Sequence, residues 1–173
     1  EVTSAAGDAS CRMSRRMTLQ NAAAARFDLA VTREVRLLGG EDLERLFGRA
    51  AAPMLAGGVR RVAYETVNSI RNCGPDMNRD DGMVSIWVLG MLNAGQETVI
   101  VVPYRPGEEE LLGPAVKSDY FGQVPADRLK ILPEAILLRA DGEYRAKIGT
   151  SQRRAKNVLG SIDFASGTLT LVQ

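Results

Sequence analysis

Two neighbouring stretches of this chain repeat with a period of two, and that period decides the class of fold. In SCRMSRRMTLQ, residues 10–20, Cys11, Met13, Met17 and Leu19 take odd positions, while Ser10, Arg12, Ser14, Arg16 and Thr18 take even ones. In RFDLAVTREVRLL, residues 26–38, Phe27, Leu29, Val31, Val35 and Leu37 again take odd positions. Successive side chains of a strand point to opposite faces, so each stretch reads as a half-buried strand. The NAAAA between them is too short to stand as a helix. Residues 21–25 therefore read as the loop of an antiparallel hairpin.

The rest of the chain extends this β reading. GGEDLERLFGR, residues 39–49, changes period: Leu43, Leu46 and Phe47 sit at i, i+3 and i+4, with acids in the first turn, which predicts a short helix. AAAPMLAGG follows as a surface connection. VRRVAYETVNSIRN (59–72), MVSIWVLGMLN (83–93) and TVIVVPY (98–104) have strand composition, the second as a central strand covered on both faces. Residues 105–129 form a long excursion punctuated by Pro and Gly, with at most a helical turn near residues 126–129. AILLRADGEYRAKIG (135–149) predicts strand, Asp-Gly turn, strand, and NVLGSIDFASGTLTLVQ (157–173) a second hairpin around residues 165–167. The expected fold is mainly β, an antiparallel sandwich or supersandwich with one or two short helices, in a single β domain over residues 1–173.

Composition excludes several functions. The net charge of +1 gives no field to hold a nucleic acid, and no apolar run is long enough to cross a membrane as a helix. The chain has no histidine, which removes a Ser-His-Asp triad, a Cys-His pair and any histidine zinc site. No cofactor and no metal are expected, because the acids are scattered and Cys11 and Cys73 form no CxxC pair. The two cysteines are read either as one disulfide or as two unpaired core thiols. The first residue is Glu1 rather than Met, which reads as a processed, trimmed or fragmentary product.

Two arginines break otherwise apolar strand faces. Arg15 interrupts the row of Cys11, Met13, Met17 and Leu19, and Arg33 interrupts that of Phe27, Leu29, Val31 and Val35. If Gln20 pairs with Arg26, Met17 opposes Leu29, Arg15 opposes Val31 and Met13 opposes Arg33. The arginines are then diagonal neighbours on one face. A charge there needs a carboxylate, carbonyls or a ligand. One reading is a structural ion pair with Glu65, all three side chains on one sheet face; the other is a ligand-facing pair. Glu65 and Asn68 in YETVN suit sugar hydroxyls, since a carboxylate and an amide each fix several hydrogen bonds, although a solvated strand edge accounts for them too. Trp87 lies inside SIWVLGML and is read as core rather than a stacking platform. Asp80 and Asp81 read as a solvated turn. In KIGTSQRRAKNVLGS, Lys147, Arg153, Arg154 and Lys156 surround a small polar loop without Walker-type spacing. That loop reads as solvated, with Lys147 at a strand end the one residue placed to contribute to a site.

MTLQN with LAVTREVRLL, VAYETVNSIRN, MVSIWVLGMLN, DYFGQVPADRL and YRAKIGTSQRRAKNVLGSIDFASGTLTLVQ together resemble an uncharacterised family of bacterial domains, often exported, from about Cys11 to Gln173. The resemblance implies a galactose-mutarotase-like supersandwich, of which this chain is the C-terminal part. It implies the scaffold and a carbohydrate-sized concave face, not the mutarotase reaction, which uses histidine acids that this chain lacks. Two functions follow as expectations. The first is a noncatalytic carbohydrate-binding or carbohydrate-associated domain, with Arg15, Arg33, Glu65, Asn68 and Lys147 at the ligand. The second is a sugar-active enzyme, mutarotase-, epimerase- or lyase-like, that uses a carboxylate and arginines. Carbohydrate is the expected partner, nucleic acid is not, and unpaired sheet edges and faces predict a homo-oligomer.

Overall fold

The hairpin forms in the expected register. In the computed structural model, which describes residues 2–3 and 9–173, strands β2 (Ser10–Gln20) and β3 (Arg26–Leu37) pair antiparallel, with Gln20 opposite Arg26, Met17 opposite Leu29 and Arg15 opposite Val31. Asn21 closes the loop: its Oδ1 accepts the N–H groups of Ala23 and Ala25, each at 3.0 Å. β1 (Val2–Thr3) pairs with β2, and β4 (Tyr64–Asn72) pairs with the far edge of β3, giving a four-stranded antiparallel sheet in the order β1-β2-β3-β4. Between β3 and β4 lie α1 (Gly40–Phe47), a 3-10 turn (Gly48–Ala51) and α2 (Ala52–Leu55). The predicted helix thus forms, and the expected surface connection after it is itself largely helical. Leu43 of α1 and Ala51 of the 3-10 turn are buried, and so are Phe27 and Leu29 on β3.

These elements make up the first of two compact units, residues 1–89. The second, residues 90–173, holds a five-stranded antiparallel sheet ordered β6-β7-β5-β8-β9. Its strands are β5 (Thr98–Pro103), β6 (Leu129–Ile131), β7 (Ala135–Arg139), β8 (Leu159–Asp163) and β9 (Thr168–Val172). One helical turn, α3 (Glu109–Leu112), sits in the long excursion. Alternation along β7 buries Ile136 and Leu138, which face Val102 and Ile100 across the β5 ladder. Tyr104 is buried and its hydroxyl donates to the Leu132 carbonyl at 2.6 Å. The mainly β, antiparallel reading therefore holds for both units, as does the hairpin of β8 and β9.

Among the described residues two expected elements are absent and a third is shortened. Residues 59–63 precede β4 without joining the ladder, so the strand begins at Tyr64. Residues 83–95 pair with no strand among the described residues, and Trp87, expected in the core, is 82% exposed. Apolar, β-branched composition permits a strand, but only a partner edge makes one. The Asp141-Gly142 turn forms, with Gly142 at φ +81°, yet residues 143–149 build no second strand. Both edges of β7 are already occupied, by β5 and β6, so no edge remains for a hairpin partner.

Candidate functional site

Directly opposed residues in an antiparallel pair share a face, so register decides which predicted site residues meet. On β3, Arg33 lies between Met13 of β2 and Asn68 of β4. Arg15 lies one rung away, across from Val31 and Ile70. Arg15, Arg33 and Asn68 therefore share one face. That face is half apolar: Phe27 and Leu29 are buried at one end, while both arginines are exposed. Among the described residues neither guanidinium has a hydrogen-bond or ion-pair partner. Asn68 donates through Nδ2 to Thr66 Oγ1 at 3.1 Å, which leaves its carbonyl oxygen and second N–H available for other partners.

Glu65 is not part of this set, contrary to the expectation that it pairs with Arg15 or Arg33. It stands opposite Arg36, so it lies on the other face, and Arg36 Nε meets its Oε1 at 2.8 Å. Arg36 also reaches Asp42 of α1 at 3.3 Å, and Arg45 approaches the same Asp42 oxygen at 2.8 Å. The Asp42 carboxyl is held below its ordinary range, first by the Gly39 N–H at the start of α1 and then by Arg36. The Arg36 guanidinium is held in its charged form chiefly by Glu65 and Asp42. This network ties β3, β4 and α1 together. The sequence signal for it was the even position of Arg36, but the β3–β4 register is not fixed by a short turn and was not readable.

Lys147 belongs to the second unit. It sits on an irregular segment rather than at a strand end, with its Nζ 4.0 Å from the centre of the Tyr120 ring. Arg145 stacks on Phe121 at the same distance, and the two rings meet edge to face at 4.8 Å. This exposed cation–π cluster joins the long excursion to the segment after β7. The basic loop beyond it is not simply solvated. Arg154 is only 3% exposed and donates to the carbonyls of Gly113, Arg105 and Gly107 at 2.6, 3.0 and 2.8 Å. Arg153 donates to the Leu111 carbonyl at 2.7 Å, and the Ser151 hydroxyl to that of Leu112. The loop is thus a clamp on residues 105–113. Cys11 and Cys73 are both free thiols, Cys11 half-buried and Cys73 exposed, so neither the disulfide nor a fully buried pair is present.

The fold and this face define a mainly β protein with an open, arginine-bearing sheet surface. The chain belongs to a family of unknown function, DUF6786, which matches it over residues 1–173. No curated protein and no solved structure matches it. Among the described residues no cluster of His, Cys, Asp or Glu could hold a metal ion, and no helix is long and apolar enough to cross a membrane.

Proposed function

We propose that this protein is a noncatalytic, carbohydrate-binding β domain whose ligand lies on the face of Arg15, Arg33 and Asn68. The observation that carries the reading is that two guanidiniums and an amide share one open sheet face while no protein carboxylate answers them among the described residues. Planar donors of this kind recognise vicinal hydroxyls and carboxylates, and Ile70 and Val31 beside Arg15 supply an apolar surface for a sugar ring. The galactose-mutarotase-like supersandwich belongs to the same reading. Its support is the resemblance together with the antiparallel sheets of both units.

The enzyme alternative loses its acid on this face. Glu65 stands on the opposite face, engaged by Arg36. A glycan array probed with the wild-type chain tests the proposal, with Arg33→Ala and Arg15→Ala as the paired variants. The expected result is selective retention of one saccharide class and weakening by about tenfold in each variant, the size of one lost charge-assisted contact. Unchanged binding in both variants, or turnover of a sugar by the wild-type chain, would count against it.

A further inference from the structure

The opposite face of the same sheet carries a second arrangement. Its rungs pair residues of even number on β2 and β3 with residues of odd number on β4. Arg12 stands across from Glu34, and Arg36 across from Glu65, so these arginines of the face meet opposite charge. One rung breaks the rule. Arg16 and Arg71 flank Ala30 from either side, so two cations face each other across a methyl group. Like charges so placed repel, and strand spacing puts their Cα atoms only about 10 Å apart. The acid closest in register, Asp28, is diagonal to both and accepts instead from the Thr18 hydroxyl at 2.5 Å. Among the described residues neither Arg16 nor Arg71 has a side-chain partner.

The small residue between them opens the surface. Ser14, Arg16, Ala30, Thr32 and Arg71 line a shallow open trough of about 510 Å³, together with Arg15 and Val31, which the register places on the other face. The rung next to the arginines is a row of hydroxyls, Ser14, Thr32 and Ser69. The trough thus offers two guanidinium forks at one end and hydroxyl donors and acceptors at the other.

We propose that this trough binds an oxyanion carried on a polyhydroxylated ligand: the carboxylate or sulfate of an acidic saccharide, held between Arg16 and Arg71, with ring hydroxyls on Thr32 and Ser69. A bridging oxyanion takes bidentate hydrogen bonds from both forks and removes their mutual repulsion. The saccharide part of the ligand rests on the proposed function, whereas the oxyanion part does not. Arg33 and Asn68 of the first site lie on the face opposite Arg16 and Arg71, so the two sites are separable by mutation at those residues.

Isothermal titration with a galacturonate oligosaccharide, a sulfated oligosaccharide and a neutral oligosaccharide tests the trough. The expected result is binding of one or both acidic probes, weakened about tenfold or more by Arg16→Ala and by Arg71→Ala and partly restored by Arg16→Lys. Arg12→Ala, outside both sites, leaves this binding unchanged, and the acidic probe that binds identifies carboxylate or sulfate. Circular dichroism of each variant checks that the sheet is retained. Wild-type affinity in both trough variants overturns the proposal. If no saccharide binds the wild-type chain, the carbohydrate reading fails, and titration with inorganic sulfate then decides the trough. Shifts of the Arg16 and Arg71 Nε–H resonances support it, and their absence overturns it.

Discussion

Arg154 and Asp141 are the two charged side chains that the second unit takes out of water, and each is satisfied in a different way. Among the described residues Arg154 has no carboxylate partner; three backbone carbonyls surround its guanidinium, and its carbon atom lies 5.8 Å from the centre of the Tyr104 ring. Removing it strands those carbonyls in a site that is closed to water. Arg154→Met is expected to lower stability by about 3 kcal/mol in urea unfolding, and Arg154→Lys to recover little of it, because an ammonium cannot match a planar fork. Wild-type stability in Arg154→Met would remove the clamp from this account. The Asp141 side chain is 2% exposed and lies 2.8 Å from both Arg128 and Arg139. Its carboxyl is lowered to about 2, first by the Arg128 hydrogen bond and then by the Glu143 N–H. Between about 2 and the ordinary value of 3.8 the unfolded chain binds more protons than the folded one. Stability from this group is therefore complete above that window and is lost as pH falls through it. Asp141→Asn is expected to flatten the acid limb of a plot of urea midpoint against pH between 2 and 5, and an identical limb in the variant would contradict the assignment.

At the scale of elements, the sequence was readable wherever pairing is local. β2 and β3 are joined by a short loop, so alternation and loop length together set their register, and Arg15, Arg33 and their rungs fell where expected. β4 is separated from β3 by two helices, so nothing local fixed its register. Glu65 consequently moved to the far face, and the Arg16–Ala30–Arg71 rung went unseen, although all three residues were visible as the polar or small members of their strands. The basic loop was misread because charge in a sequence predicts exposure, whereas carbonyls from residues 105–113 make a buried arginine affordable. The second tail hairpin was readable for the same local reason as the first, and it contains a packing constraint. Gly160 sits opposite Leu171, and a Cβ there would collide with the Thr170 carbonyl of β9. Since that neighbour is backbone, the strands must separate to admit a methyl group. Gly160→Ala is expected to cost about 1–3 kcal/mol, with amide protection lost first in β8 and β9. Full protection of Leu169 and Leu171 in the variant would show that the ladder tolerates the group.

For the molecule as a whole, each unit has its own antiparallel sheet and its own small core, and residues 83–92, at the end of the first unit and the start of the second, form an apolar, exposed stretch. Within it Met83, Trp87, Leu89, Met91 and Leu92 are 67, 82, 64, 85 and 63% exposed. Unpartnered apolar surface of this kind promotes association, and the edge strands β4 and β9 add exposed Val67, Leu169 and Val172. Trp87 is the only tryptophan, so its fluorescence reports directly on this segment. At low concentration the emission should be that of an indole in water. As concentration rises it should move to shorter wavelength, in step with an increase in mass by light scattering. Met91→Arg places a charge in the same stretch while leaving the reporter intact, and it should suppress both changes. Emission that stays at long wavelength at every concentration, together with the mass of a single chain, would refute association through this segment. A blue-shifted emission at constant single-chain mass would instead mean that Trp87 is covered within the chain itself.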